Sequence, residues 1–456
     1  MMKYISTRGQ MAPIGFQDAV MTGLAPDGGL LLPESLPDVS DRLEAWSKLS
    51  YTELAFEVIS LFATDIPAAD LKKLIDDSYA TFNHPEVAPS VQVGDFEILE
   101  LFHGPTLAFK DVALQFLGNL FSYILEKRGG KLNILGATSG DTGSAAIHGV
   151  RGKPNINIFI MHPAGRTSPL QEKQMTSVLD ANVFNLAVDG TFDDCQNIMK
   201  TTFGDVDFKT GHSLGSVNSV NWARVLAQTV YYFYSAFQTG AKSVQFSVPT
   251  GNFGDILAGY LAQQMGLPIG KLILATNEND ILSRFFNTGV YGMADVVSTI
   301  SPSMDIQVAS NFERYLYFKV GQDAEKLVGL MNDFKEKGSL KVELNENGVV
   351  DDLFVAGKGD TAATLETIKR YKDEYGYVLD PHTAVGVLVA EKFQMEESPT
   401  ICLATAHPAK FTQAIIDATG EAVHHPTLDA LADAETRCDP IANDIDAVKQ
   451  YLVGHI

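Results

Sequence analysis

The chain has 456 residues, 45% of them hydrophobic and 20% charged, which is enough for two or more domains with apolar cores. Its formal net charge of −22 argues against a nucleic-acid backbone or an anionic membrane surface as partner, since either calls for a basic patch. Three widely spaced cysteines, Cys195, Cys402 and Cys438, suggest neither a disulfide framework nor a metal site; the N-terminus lacks the apolar core of a signal peptide, no stretch has the length of a membrane span, and a cytoplasmic protein is expected.

Residues 1 to 92 read as a mostly helical N-terminal domain. Apolar residues recur at helical spacing through Leu54, Val58, Ile59 and Leu61, and again through Leu71, Leu74 and Ile75, while Pro26, Gly28 and Gly29 make a turn before Leu30 to Leu32. Next comes HGPTLAFKDVALQFLGNLF, residues 103 to 121, in which Lys110 stands between an apolar segment and the first turn of an apolar helix. Val112, Phe116, Leu117, Leu120, Phe121 and Ile124 predict a helix from about Asp111 that stops before Gly129 and Gly130. Leu107, Ala108 and Phe109 offer little water, and a helix N-terminus is the positive end of its dipole; both disfavour an ammonium there and favour the neutral amine that Schiff-base chemistry needs. Taken alone, such a lysine reads as one that snorkels to solvent.

After that helix a rhythm of strand, small-residue loop and helix appears three times, in KLNILGATSGDTGSAAIHGV, in SVQFSVPTGNFGDILAGYLAQQMG and in TICLATAHPAKFTQAIIDATG. INIFIM (156–161), VFNLAV (183–188) and KLILATN (271–277) are further strands. The alternation predicts an α/β fold with a largely parallel sheet, its three loops facing one crevice beyond the carboxyl ends of the strands. Residues 286–375 have a different texture, with NFERYLYF and KEKGSLKVELNEN, and read as an additional subdomain. In PTGNFGDI, Gly251 and Gly254 lie between a strand and a helix, where backbone N–H groups can converge on an anion; the alternative is a plain turn with an Asp255 helix cap.

The run from Glu100 through Thr106 and Ala108 to Ala113, around Lys110, resembles the pyridoxal-phosphate lysine signature shared by serine/threonine dehydratases and threonine synthases, and HGPTLAFKD is similar to the threonine synthase form. STRG near the N-terminus, GLAPDGGLLLPE and ATAHPAKF near the C-terminus extend the resemblance over nearly the whole chain. It implies a fold type II pyridoxal-phosphate enzyme (tryptophan synthase β-like), with parallel-rich sheets flanked by helices: a cofactor-binding core over 93–285, completed by 376–456 after the additional subdomain. The implied activity converts O-phospho-L-homoserine and water to L-threonine and phosphate. A dehydratase-like lyase of the same fold and a non-catalytic ligand-binding homologue are the alternatives, and a monomer or homodimer is expected.

Residue by residue, the resemblance assigns Lys110 to the cofactor and to catalysis, Gly251, Asn252, Phe253, Gly254 and Asp255 to the cofactor phosphate, and Thr405 to the pyridine nitrogen. A neutral hydroxyl there leaves the nitrogen less protonated than a carboxylate does and favours elimination over transamination. Ser139, Asp141 and Thr142 fall in the loop that holds the substrate carboxylate in related enzymes. Asp141 stands where those enzymes have an asparagine, whose role is not carried over; a helix cap is the other reading of Asp141. For the substrate phosphate an acidic protein needs arginine forks, which Arg166 with Ser168, or Asn218, Asn221 and Arg224, would supply; at three-residue helical spacing the second set shares a face.

Overall fold

The apolar runs marked as strands become the strands Leu132–Ala137, Ile156–Pro163, Val183–Val188, Val244–Pro249, Ile269–Thr276 and Thr400–Ala404. The structure is a computed structural model and describes residues 1–138, 140–395 and 398–456. The strands divide between two sheets in two compact units, so the three loops do not all follow strands of one sheet, as the sequence rhythm suggests.

The first unit comprises Met1–Ile75, Phe82–His103 and Ser219–Val423. Among the described residues its main sheet runs, in spatial order, Phe354–Lys358, Ile269–Thr276, Val244–Pro249, Thr400–Ala404, Phe96–Glu100 and Ser90–Val93, parallel throughout except for the last pair. Val244–Pro249 and Thr400–Ala404 are buried at every position, the polar Gln245, Ser247 and Thr400 included, since a parallel strand is covered on both faces. One face is filled by Ile98, Ile273, Cys402 and Ile415 with Val385 and Val387 of the helix Pro381–Ala390. Tyr232, on the helix Trp222–Thr239, meets Phe246 of the sheet edge-on at 4.7 Å.

Helices dominate the N-terminal part of this unit, with a short antiparallel ribbon between Tyr4–Ser6 and Leu31–Pro33 that periodicity over three residues could not reveal. Trp222 anchors it, with ring centroids 6.1 Å from Tyr4 and 6.0 Å from Phe62. Residues 286–375 do not stand apart as a subdomain: Phe354–Lys358 is an edge strand of the main sheet. Phe354 and Phe312 join Phe253, Phe286 and Tyr315 in an aromatic cluster, Phe286 stacking on Phe354 at 4.3 Å.

The second unit comprises Asp76–Thr81, Gly104–Asn218 and His424–Ile456. Its parallel sheet runs Asp439–Ile441, Val183–Val188, Ile156–Pro163, Leu132–Ala137 and Leu214–Gly215. The helix Lys110–Arg128 ends at Gly129 in the left-handed conformation, φ +66°, with Lys127 and Arg128 in its last turn, where cations suit the dipole. It packs backbone to backbone on the helix Asp141–Val150. A Cβ on Gly118 would lie 1.9 Å from the Gly149 carbonyl, and one on Gly149 would lie 2.5 Å from the Leu114 carbonyl. Two glycines thereby bring the heads of both helices into register. Among the described residues no helix is long and apolar enough to cross a membrane, and no group of His, Cys, Asp and Glu is arranged to hold a metal ion.

Candidate active site

In the second unit Lys110 is the first residue of its helix and is 8% exposed. Its Nζ lies 3.4 Å from Asp141 Oδ2, and Asp141 Oδ1 accepts from Gln171 Nε2 at 3.1 Å. Two expectations are corrected here. Asp141 is not the cap of its helix: Gly140, at φ +149°, takes that position, and the carboxylate turns to Lys110 and Gln171. The surroundings of the amine are not uniformly apolar either, since that carboxylate is a counter-ion for the ammonium form.

The motif ahead of the lysine is held by the residue after it. Asp111 accepts from the Thr106 N–H and the Thr106 hydroxyl, both at 2.8 Å, and its Cβ would be 2.4 Å from any Cβ placed on Gly104. Leu107 is driven to φ +58°, a costly conformation for a side chain with a Cβ. Glycine, threonine and aspartate in GPTLAFKD therefore build the turn that aims the lysine. In the following loop Thr138, which sequence reasoning missed, accepts from the N–H groups of Gly140 and Gly143 through its hydroxyl, both at 3.2 Å. Thr142 is half-buried, and Ser139 lies outside the described residues. Gln171 was passed over as one polar residue in HPAGRTSPLQEKQM. Arg166 and Ser168 are exposed, Ser168 as N-cap of the helix Pro169–Thr176.

In the first unit the loop after Val244–Pro249 leads into the helix Gly254–Gln264. Phe253 has φ +64°, and its ring is committed to the aromatic cluster, so only its backbone can serve a ligand. A Cβ on Gly251 would lie 2.5 Å from the Ser303 carbonyl, and one on Gly254 would lie 3.2 Å from Asn311 Nδ2. The Asn252 carbonyl accepts from both Asn311 N–H, at 3.0 Å, and Asn311 Nδ2, at 3.2 Å. The cap reading of Asp255 also fails: its Oδ1 accepts from the Tyr231 and Tyr232 hydroxyls at 2.5 and 3.0 Å. Burial pushes the Asp255 carboxyl up to about 6 despite those bonds.

Thr405 directly follows the strand Thr400–Ala404 and is buried. Its N–H donates to the Thr383 hydroxyl at 3.2 Å, and that hydroxyl donates to Asp380. Asp380 pairs with His382 Nδ1 at 2.9 Å, and His382 Nε2 accepts from the Ser303 N–H at 3.2 Å. One chain of contacts, buried up to His382, thus runs from Thr405 to the residue against which Gly251 packs.

Arg224 lies in the first turn of Trp222–Thr239, 4% exposed, and burial lowers its guanidinium to about 10, which leaves it a cation near neutral pH. The expected shared face is corrected. The helix begins only at Trp222, and Asn221 is its cap: Oδ1 accepts from the Ala223 N–H at 3.1 Å, while Nδ2 donates to the Val20 carbonyl at 2.8 Å. Asn218 is exposed, outside any helix, and belongs to the second unit.

A phosphorylated pyridine aldehyde needs an amine, an anion cradle and a partner for its ring nitrogen. The donor set fits: Lys110 is a buried amine, the loop 250–254 admits no Cβ at Gly251 and ends in a helix head whose first N–H groups lack intrahelical acceptors, and Thr405 offers a neutral hydroxyl. Comparisons with known proteins agree. Residues 3–79 match the family model described as Threonine synthase N terminus, residues 97–328 the one described as Pyridoxal-phosphate dependent enzyme, and residues 383–452 the one described as Threonine synthase, C-terminal. A threonine synthase of Pseudomonas aeruginosa is 48% identical over 462 residues, covering 100% of this chain and 98% of that protein. The crystal structure of a pyridoxal-phosphate-bound threonine synthase from Brucella melitensis superposes with a TM-score of 0.97 at 46% identity, covering 100% of this chain and 99% of the other. Yeast threonine synthase does so with a TM-score of 0.95 at 44% identity over 99% and 98% of the two chains. The chain belongs to the threonine synthase family of pyridoxal-phosphate-dependent lyases.

Proposed function

We propose that O-phospho-L-homoserine is the substrate, converted with water to L-threonine and phosphate, and that Lys110 is the catalytic residue. The observation that carries this reading is the buried contact of Lys110 Nζ with Asp141, at 3.4 Å, at the heads of two helices locked together by glycines. Bound pyridoxal phosphate supplies an electron sink that lets protons leave the α and β carbons of the substrate. Lys110 would hold the cofactor through its amine and would take and return those protons. Asp141, fixed by Gln171, orients Nζ. The bond from the γ carbon to the phosphate oxygen breaks, the γ carbon gains a proton and becomes the methyl group, water adds its oxygen at the β carbon, and Lys110 returns a proton to the α carbon.

The loop Gly251 to Asp255 is assigned to the cofactor phosphate through backbone N–H groups, and Thr405 to the ring nitrogen. Ser139 and Thr142 are assigned to the substrate carboxylate. Arg224 is preferred over the exposed Arg166 and Ser168 for the substrate phosphate, because a buried guanidinium is pre-organised and escapes screening. Asn221 supports that arginine as a cap. The small charged substrate suits a cytoplasmic enzyme. The test is to supply phosphohomoserine to the purified holoenzyme and assay threonine and phosphate together. Equal yields are expected; phosphate release without threonine would indicate a dehydratase-like lyase.

A further inference from the structure

Asn311 and Arg314, at the head of the helix Phe312–Lys319, lie in the same compact unit as the glycine loop and are almost fully buried. The bonds of Asn311 to the Asn252 carbonyl have been described; its Nδ2 also donates to the Ser219 carbonyl at 3.2 Å. Arg314 donates through Nη1 to Asn311 Oδ1 at 2.6 Å, and through Nη2 to the carbonyls of Val220 and Leu31 at 2.6 and 2.7 Å. Its Nε reaches the Leu31 carbonyl at 3.0 Å.

In a planar trans peptide the C=O and the following N–H point in opposite directions. Locking the Asn252 carbonyl toward Asn311 therefore turns the Phe253 N–H to the opposite side of the loop. Locking the Ser219 and Val220 carbonyls does the same for the N–H groups of Val220 and Asn221. Two side chains, together with the Asn311 backbone N–H, thus set peptide planes both in the loop assigned to the cofactor phosphate and in the turn that delivers Arg224.

A buried arginine is costly unless something compensates it. The acceptors of Arg314 are neutral oxygens, and burial lowers its guanidinium to about 9, still charged near neutral pH. The adjacent Glu313 is engaged elsewhere, by the Thr7 hydroxyl at 2.7 Å and by Arg8 at 2.9 and 3.1 Å. Arg314 is therefore a buried cation whose adjacent carboxylate, Glu313, is shared with Arg8, in a protein whose overall charge repels phosphate. The contacts also give the N-terminal motifs a purpose: STRG holds Glu313, and LLLP supplies the Leu31 carbonyl to Arg314.

We propose that Asn311 and Arg314 are positioning residues that couple the two phosphate sites, so that loosening either residue weakens cofactor and substrate phosphate together. This rests on the assignment of the glycine loop and Arg224 made above. The test compares wild type with Asn311→Ala and Arg314→Lys. Three quantities are read: the cofactor dissociation constant from quenching of protein fluorescence, the inhibition constant of inorganic phosphate in the holoenzyme, and the melting temperature of the cofactor-free chain. For each variant both constants are expected to rise about tenfold, with kcat changing much less. A lower melting temperature with both constants at wild-type values would make the pair merely structural, and a change in the cofactor constant alone would break the coupling; either overturns the proposal. If Asn311→Ala fails to fold, Asn311→Asp keeps the shape and the Arg314 contact but loses the Nδ2 donor, and unchanged constants in that variant would overturn it equally. A wild-type enzyme that makes no threonine would instead remove the substrate assignment, whatever the variants do to cofactor binding.

Discussion

The lysine-bearing region and the glycine-loop region solve their positioning problems differently. Around Lys110 the functional groups hold one another: the amine meets Asp141, Asp141 meets Gln171, and Asp111 fastens Thr106 a few residues away in the chain. Around Gly251 the loop proposed for the cofactor phosphate offers mostly backbone, and it is held by buried side chains far along the chain, Asn311, Arg314 and His382. Chemistry that needs a side chain concentrates its supports locally. Binding by peptide N–H groups instead requires peptide planes to be fixed, and residues of any sequence distance can do that.

Damage at the lysine should therefore stop the reaction, while damage at the loop should only weaken binding. Lys110→Ala is expected to lower threonine formation by at least about 10⁴-fold and to abolish borohydride-stable attachment of the cofactor, because the amine itself takes part. The variant should still fold, since alanine is a good helix former, but its melting temperature without cofactor should fall, because the buried Asp141 carboxylate loses a counter-ion. Near-normal threonine formation by this variant would remove Lys110 from catalysis.

The next largest effect is expected at Arg224, where loss of a buried charge-assisted contact should cost on the order of 2 to 4 kcal/mol in kcat/KM for phosphohomoserine. Arg166→Ala, at an exposed site, should cost less than about 0.5 kcal/mol. Equal effects at both arginines, or the reverse order, would move the substrate phosphate to the second unit. Cofactor affinity should be nearly unchanged in Arg224→Ala.

The contrast also marks what could be seen in the sequence. The helix that begins at Lys110 was legible because most of its residues are buried and apolar side chains recur along it, and the parallel strands because β-branched and aromatic residues cluster between turn signals. The division into two sheets was not, since periodicity reports that a strand is covered and not by which neighbour. Asn221 and Asp255 were recognised as polar residues at helix starts, but their partners Val20, Tyr231 and Tyr232 are read only from three dimensions. Asn311 and Arg314 carried no signal at all, because NFER is an ordinary helix start until the Asn252 carbonyl is seen above it.

Gly251→Val sharpens the comparison from the binding side. Its Cβ would come within 2.5 Å of the Ser303 carbonyl, a backbone atom that cannot move without shifting the His382 contact. Cofactor affinity should fall by roughly 10- to 100-fold, measured by titration of the cofactor-free protein, while turnover at saturating cofactor should recover substantially. A variant that binds cofactor normally would reduce the loop to a turn.

The smallest effect on turnover is expected at Asp255, which lies at the loop but whose carboxyl is directed to Tyr231 and Tyr232. Its folded-state value of about 6 stands above the ordinary 3.8 because burial outweighs the two hydroxyl donors. The folded protein therefore holds this proton more tightly than the unfolded chain does. Below the unfolded value the group contributes nothing to pH dependence; as the pH rises between the two values the folded state loses stability, and above about 6 the whole penalty is present, at most about 3 kcal/mol for a shift of this size. Asp255→Asn cannot ionise and should lack that decline. Relative to wild type, the cofactor-free variant should become more stable to denaturant at pH 8 than at pH 4, by up to that amount. Parallel stability profiles for the two proteins would mean that Asp255 ionises as easily folded as unfolded, and that the Tyr231 and Tyr232 donors fully compensate its burial.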